Sequence, residues 1–217
     1  AAPSLPFTGF GTGWIDYDND GRLDLLAANG AVTEVEERVR AGDPYPYAQT
    51  HQLFRHQGDG RFADVSREAG APFRQLEIGR GVAFGDVDND GDLDALVVNT
   101  NGPARLLINQ IGQSRPWLGL RLVGGRRDLL GGRVAVVRKG APTLWRRAAT
   151  DGSYASASDP RVLVGLGEAA EVTEIRVLWP DGTAEVFPPP PLRAYTPLVR
   201  GTGRPIGATT ETPEAKP

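Results

Sequence analysis

Apolar residues in this chain come in short runs, each closed by glycine, proline, aspartate or asparagine. Trp14-Ile15, Leu25-Leu26-Ala27-Ala28, Gln52-Leu53-Phe54-Arg55, Val82-Ala83-Phe84, Ala95-Leu96-Val97-Val98 and Arg105-Leu106-Leu107-Ile108-Asn109 read as strands in the first half. The second half continues with Trp117 to Val123, Arg133 to Val137, Thr143 to Arg146, Arg161 to Val164 and Val172 to Trp179. The last of these alternates, with Val172, Ile175, Val177 and Trp179 nearly on one face against Glu174, Arg176 and Leu178. Short strands at this spacing predict an antiparallel β-sandwich for that half. One stretch breaks the pattern: Thr33-Glu34-Val35-Glu36 has the form of a capping box, and Val35, Val39 and Gly42 predict a short helix with a glycine stop.

Between the strands of the first half a nine-residue stretch occurs twice, 70 positions apart. Asp16-Tyr17-Asp18-Asn19-Asp20-Gly21-Arg22-Leu23-Asp24 returns as Asp86-Val87-Asp88-Asn89-Asp90-Gly91-Asp92-Leu93-Asp94. Carboxylates stand at loop positions 1, 3, 5 and 9, and glycine at position 6 allows a sharp turn. Alternate side chains of such a loop converge, so Asp16, Asp18 and Asp20, and likewise Asp86, Asp88 and Asp90, suit a hard cation. Position 7 (Arg22, Asp92) offers its backbone carbonyl, and Asp24 and Asp94 close the shell. An EF-hand is excluded, because position 12 is Ala27 or Val97 where that loop needs a bidentate glutamate. Asp-Asn-Gly turns also form without metal. A repeated crowd of four or five carboxylates, however, repels itself unless a cation neutralises it. Flexible, carboxylate-rich, all-oxygen loops favour calcium over magnesium, which gives two Ca2+ sites.

The paired loops, with Gly11 and Gly81 upstream and the strands around Leu53 and Leu106 downstream, resemble FG-GAP/VCBS-type repeats. The resemblance implies two β-propeller-blade-like repeats, each holding calcium between two strands. Gln57-Gly58-Asp59-Gly60-Arg61-Phe62 resembles the family's hairpin, with His56 where asparagine is usual and where the second copy keeps Asn109. The first repeat carries about 17 extra residues, within about 31–49, that end in the aromatic loop Asp43-Pro44-Tyr45-Pro46-Tyr47. That loop reads as either a recognition surface or a lid over blade edges. A propeller closes with about four to eight blades. Two blades therefore leave edges to be covered by further repeats, by the second domain or by another copy of the chain, and residues 1–8 are expected to supply an added strand.

The second half resembles an ASPIC/UnbV domain, the domain that follows FG-GAP-type repeats in cartilage acidic protein-like secreted proteins. Gly131-Gly132-Arg133-Val134, Gly152-Ser153-Tyr154, Ser158-Asp159-Pro160-Arg161, Gly165-Leu166-Gly167 and Val177-Leu178-Trp179-Pro180-Asp181-Gly182 carry the resemblance. Gly165-Leu166-Gly167 reads as a tight bend or a close approach to a ligand, and Asp159-Pro160 as a turn or a contact. Trp145 and Trp179 read as core residues or as stacking platforms for sugars. The expected organisation is all-β: repeats over 1–111, an antiparallel sandwich over 112–200 and a flexible Thr/Pro-rich tail over 201–217.

Composition narrows the function. The chain has 217 residues, a formal charge of -3, and nine of its 27 acidic residues inside the two loops. Arg126-Arg127 and Arg146-Arg147 are isolated pairs, so nucleic acid is not an expected partner. No apolar run approaches the roughly 18 residues of a membrane span. Absence of cysteine excludes disulfides and thiol chemistry. The opening Ala1-Ala2-Pro3 without methionine fits a processed or truncated chain. G-x-S-x-G and H-E-x-x-H are absent, and His51 and His56, five apart, fall on opposite strand faces. No enzyme is therefore expected. The reading is a secreted or extracellular module, periplasmic or at the cell surface, stabilised by calcium. It engages a protein or glycan partner, or sister subunits in a homo-oligomer or filament. A hydrolase on a propeller scaffold is the alternative, marked by a carboxylate pair outside the loops lining a pocket.

Overall fold

A computed structural model describes residues 3–168 and 171–206. The first repeat is a meander of β1 (Gly9–Ile15), β2 (Asp24–Asn29), β3 (Gln52–His56) and β4 (Phe62–Asp64). The second is a three-stranded meander of β5 (Gly79–Gly85), β6 (Asp94–Asn99) and β7 (Arg105–Leu107). Their registers match across the 70-residue offset: Ile15 faces Asp24 as Gly85 faces Asp94, and each hairpin carries an irregularity at its first glycines. Each acidic stretch therefore joins two antiparallel strands, as expected.

The repeats stack closely because β1 has glycine where β5 comes nearest, at its backbone beside Gly11 and at the Phe84 ring beside Gly13. A Cβ on Gly11 would meet Val82 N at 2.5 Å, and one on Gly13 would meet the Phe84 ring at 2.4 Å. Ile15, Leu26, Ala28, Leu53, Val82, Ala95 and Val97 form the core between them. The corresponding outer face of the second repeat is uncovered: Leu96 and Val98 are about half exposed, whereas their counterparts Leu26 and Ala28 are buried.

The insertion holds α1 (Glu36–Arg40), but the capping box does not form. Val35 is the N-cap and no side chain caps the helix. Five residues with no buried side chain give a cap little to stabilise; the backbone bond from Val35 N–H to Pro46 O holds the segment instead. The start of the chain also differs from expectation. Residues 3–6 form a turn rather than a strand, anchored where Gln52 Nε2 donates to Pro3 O and Gln49 Nε2 to Pro6 O.

The second half is a two-sheet sandwich. Its strands are β8 (Trp117–Gly124), β9 (Arg127–Asp128), β10 (Arg133–Arg138), β11 (Leu144–Arg147) and β12 (Val162–Gly165), then β13 (Val172–Leu178), β14 (Ala184–Phe187), β15 (Tyr195–Val199) and β16 (Arg204–Ile206). One sheet runs β11-β10-β13-β14-β16 and the other β12-β8-β15, with β9 on β8. Leu118, Leu120 and Leu122 of β8 pack against Val134, Val136, Ile175, Val177 and Trp179. Three expectations change. The sandwich is not wholly antiparallel, since β15 runs parallel to β8. Trp145 is 39% exposed under the Arg133 guanidinium, whereas Trp179 is core. The sheet continues past residue 200, because β16 pairs with β14; the expected tail from 207 onward lies outside the described residues.

Candidate metal centre

Each acidic loop reverses direction with two left-handed residues, at positions 4 and 6. They are Asn19 (φ 52°) and Gly21 (φ 91°) in loop 1, and Asn89 (φ 60°) and Gly91 (φ 95°) in loop 2. Asparagine and glycine are the residues that adopt this conformation at low cost, so the repeated N-D-G sets the shape of the loop. The first aspartate then closes the turn: Gly21 N–H donates to Asp16 Oδ2 at 3.0 Å, and Gly91 N–H to Asp86 Oδ2 at 3.0 Å. The last aspartate ties the loop to the third strand. Asp24 accepts from the backbone N–H groups of Tyr17 and His56, and Asp94 from those of Val87 and Asn109. His56 thus serves through its backbone, and its side chain at the family's asparagine position rests instead on Phe62.

The result is two matched carboxylate triads. Asp16, Asp18 and Asp24 offer oxygens within 4.8 Å of one another, and so do Asp86, Asp88 and Asp94. All are buried except Asp88. Asp20 and Asp90, at position 5, stay outside the triads: Asp20 pairs with Arg22, and Asp90 accepts the Asp92 N–H. At position 7, Arg22 turns its side chain to Asp20. The Asp92 side chain is fully buried and accepts from Gln113 N–H at 3.0 Å, so it braces the link to the second half.

Burial of this much negative charge has a cost. Desolvation, with help from neighbouring aspartates and against the pull of Arg146, pushes the Asp16 carboxyl up to about 7. Desolvation likewise raises Asp24 to about 6 and Asp92 to about 7. Asp16 Oδ1 is buried and accepts no hydrogen bond among the described residues. An all-oxygen donor set with an unsatisfied inward carboxylate oxygen fits a hard divalent cation and suits neither zinc nor copper.

The sandwich closes both loops from outside. On loop 1, Gly167 N–H donates to Asn19 O at 3.0 Å, and Arg146 donates to Gly21 O and Asp16 Oδ2. A Cβ on Gly165 would lie 2.4 Å from Asn19 Cα. The Gly165-Leu166-Gly167 bend is thus a close approach, and what it approaches is the loop. On loop 2, the Tyr195 hydroxyl donates to Asp86 Oδ2 at 2.7 Å, and Arg161 donates to Asp86 O and Asn89 Oδ1. Asp159 N–H donates to Phe84 O, and the Trp117 indole fills the space where Gly91 lacks a side chain. Nothing in the sequence marks Tyr195; Arg146 stands out there only in the isolated pair Arg146-Arg147, and Arg161 only within the Ser158-Asp159-Pro160-Arg161 motif. His51 and His56 serve separate places, since buried His51 accepts the Asn29 N–H and faces Glu77.

Comparison with known proteins agrees with this division. Residues 16–97 match the family model described as FG-GAP-like repeat, and residues 123–204 match that described as ASPIC and UnbV. Cartilage acidic protein 1 of Xenopus tropicalis is 41% identical over 56 residues, and that of Homo sapiens 43% over the same length. These matches span 26% of this chain and only 8% of the relatives' length. Over residues 16–97 the chain belongs to the FG-GAP-like repeats, and over residues 123–204 to the ASPIC and UnbV family.

Proposed function

We propose that this chain is a calcium-stabilised, non-enzymatic binding or structural module that works outside the cell, whether secreted, periplasmic or at the cell surface. Calcium would close both acidic loops and so secure the repeats to the sandwich. The observation that carries this reading is the matched pair of triads, Asp16, Asp18 and Asp24 with Asp86, Asp88 and Asp94. Asp20, Asp90 and the carbonyls of Arg22 and Asp92 would supply further oxygens of each shell if the loops close on an ion. A bound ion supplies two positive charges at a cluster that otherwise repels itself. At free calcium 100 times the dissociation constant, each site adds about 2.7 kcal/mol to stability. That is a large share of the roughly 5–15 kcal/mol of a typical domain. Extracellular calcium of about 1 mM reaches that ratio for sites with dissociation constants of about 10⁻⁵ M, and resting cytosolic levels do not fill such sites. Relatives named for cartilage support the outside location. The uncovered apolar face at Leu96, Val98 and Leu106 supports contact with a protein, a glycan or sister subunits.

One feature favours a hydrolase instead. A cleft of about 500 Å³ between the halves is lined by Trp14, Trp145, Asp151 and Asp159. Both of those carboxylates are engaged, Asp151 by Arg147 and Asp159 by Arg161, and Asp159 sits in the docking contact itself. A binding module is therefore the better reading. Thermal melting in calcium, in magnesium and in chelator tests it: calcium is expected to raise the midpoint well above the other two. Equal midpoints in calcium and magnesium would refute the assignment.

A further inference from the structure

Asn19 is fully buried, yet its side chain points away from its own triad. Its Nδ2 donates to Gly91 O at 2.8 Å in loop 2 and to Gly112 O at 2.9 Å in the connector to the sandwich. Gly91 is the residue whose N–H is held by Asp86 Oδ2. One amide therefore ties the turn of the first loop to a residue that orients a carboxylate of the second. A return tie runs through Asn109. Its Nδ2 donates to Tyr17 O at 2.7 Å, between Asp16 and Asp18, while its N–H donates to Asp94 Oδ1 at 2.8 Å. The first tie joins a left-handed residue of one loop to a left-handed residue of the other, Asn19 to Gly91.

The same position in loop 2 is Asn89, which also has a left-handed backbone. Its side-chain oxygen accepts from Arg161 at 2.6 Å. Where Asn19 meets the next loop, Asn89 meets the sandwich. The series loop 1, loop 2, sandwich is thus joined at each step by the fourth residue of an acidic loop.

We infer that the two loops take up their cations cooperatively, with Asn19 as the positioning residue that couples them; this rests on the calcium reading above. An ion in either loop fixes that loop's turn and so presents the Asn19 or Gly91 partner in its bonding position, lowering the ordering cost of the other. A coupling carried by two such ties belongs at the low end of the usual range, about fivefold between first and second ion.

Calorimetric titration of the full chain with calcium tests this. The native chain is expected to bind two ions, the loop filled second about fivefold more tightly than it binds when the other loop is disabled. Asn19→Gly, which keeps the left-handed backbone and removes the amide, is expected to lose most of that coupling and keep only the share carried by Asn109. Two independent ions in the native chain, or unchanged cooperativity in Asn19→Gly, would overturn the coupling while leaving the calcium reading standing. No calcium uptake by the native chain would remove both. Should Asn19→Gly fail to fold, Asp88→Asn, at an exposed ligand, serves instead. Loop 1 should then bind about fivefold more weakly than in the second step of the native titration; an unchanged affinity refutes the coupling.

Discussion

Gly165, the last residue of β12, offers a direct measure of how the halves dock. An added Cβ would lie 2.4 Å from Asn19 Cα, 2.6 Å from Asn19 C and 2.7 Å from Asn19 O. All three are backbone atoms, so no side chain can swing aside and either the loop or the strand must shift. The backbone of Gly165 is not left-handed, so alanine brings no conformational strain and restricts the unfolded chain by about 0.4–1 kcal/mol in favour of folding. Overpacking at a tight contact costs about 1–3 kcal/mol. The balance for Gly165→Ala is a loss of about 1–2 kcal/mol. Gly102→Ala is the control, because its Cβ would meet only Asn99 Cβ at an ordinary 3.4 Å. Only the unfolded-chain effect acts there, so it should stabilise by about 0.4–1 kcal/mol. Urea unfolding followed by tryptophan fluorescence reads both variants. If Gly165→Ala proves as stable as Gly102→Ala, the loop does not lie on β12 and the docking described above is wrong.

Two further outcomes follow from single contacts. Tyr195→Phe removes a hydroxyl bond to a buried carboxylate, so we expect a loss of about 1.5–3 kcal/mol and weaker calcium binding at loop 2 alone, read by melting and by calorimetry. His51 is held below its ordinary value by burial, although Glu77 opposes this, so the unfolded chain takes up the proton first as pH falls. Stability is therefore lost from about pH 6.5 downward, by up to about 1.4 kcal/mol per unit, and His51→Gln, compared with the native chain in calcium, should lack that share of the slope; parallel slopes would refute it.

Much of this architecture was legible because the signals are local. The triads follow from a spacing of nine residues, and the hairpins from apolar runs with Gly and Asp between them. Strands β15 and β16 escaped for a physical reason: Pro197 and Pro205 interrupt them, and proline removes a ladder donor. Both strands sit at sheet edges, where that loss is tolerated. The groups that close the metal loops escaped for another. Arg146 lies 130 residues from Asp16, and Tyr195 lies 109 from Asp86, so only the folded contact reveals them. Gly165-Leu166-Gly167 stood out as a motif, but the neighbour that forbids side chains there is a distant loop.

That distant packing also makes the two sites unequal. Around loop 1, Arg22 pairs with Asp20, Arg55 and Arg115 with Asp18, and Arg146 with Asp16. Around loop 2, among the described residues, no arginine or lysine pairs with any of its five aspartates. Arg161 touches only a carbonyl and an amide there, and its charge is spent on Asp159. A cation entering loop 1 must displace or coexist with guanidinium groups, whereas one entering loop 2 meets only uncompensated negative charge. A single arginine–carboxylate contact contributes about 1.5–3 kcal/mol, so reorienting one separates the sites by about tenfold or more. Loop 2 should therefore fill first, and loop 1 should follow through Asn19. Calorimetry on Asp18→Asn, which leaves loop 2 intact, should give the tighter dissociation constant, and Asp88→Asn, which leaves loop 1, the weaker. The reverse order would mean that the arginines pre-shape loop 1 for the ion more than they repel it, and the charge argument would fail.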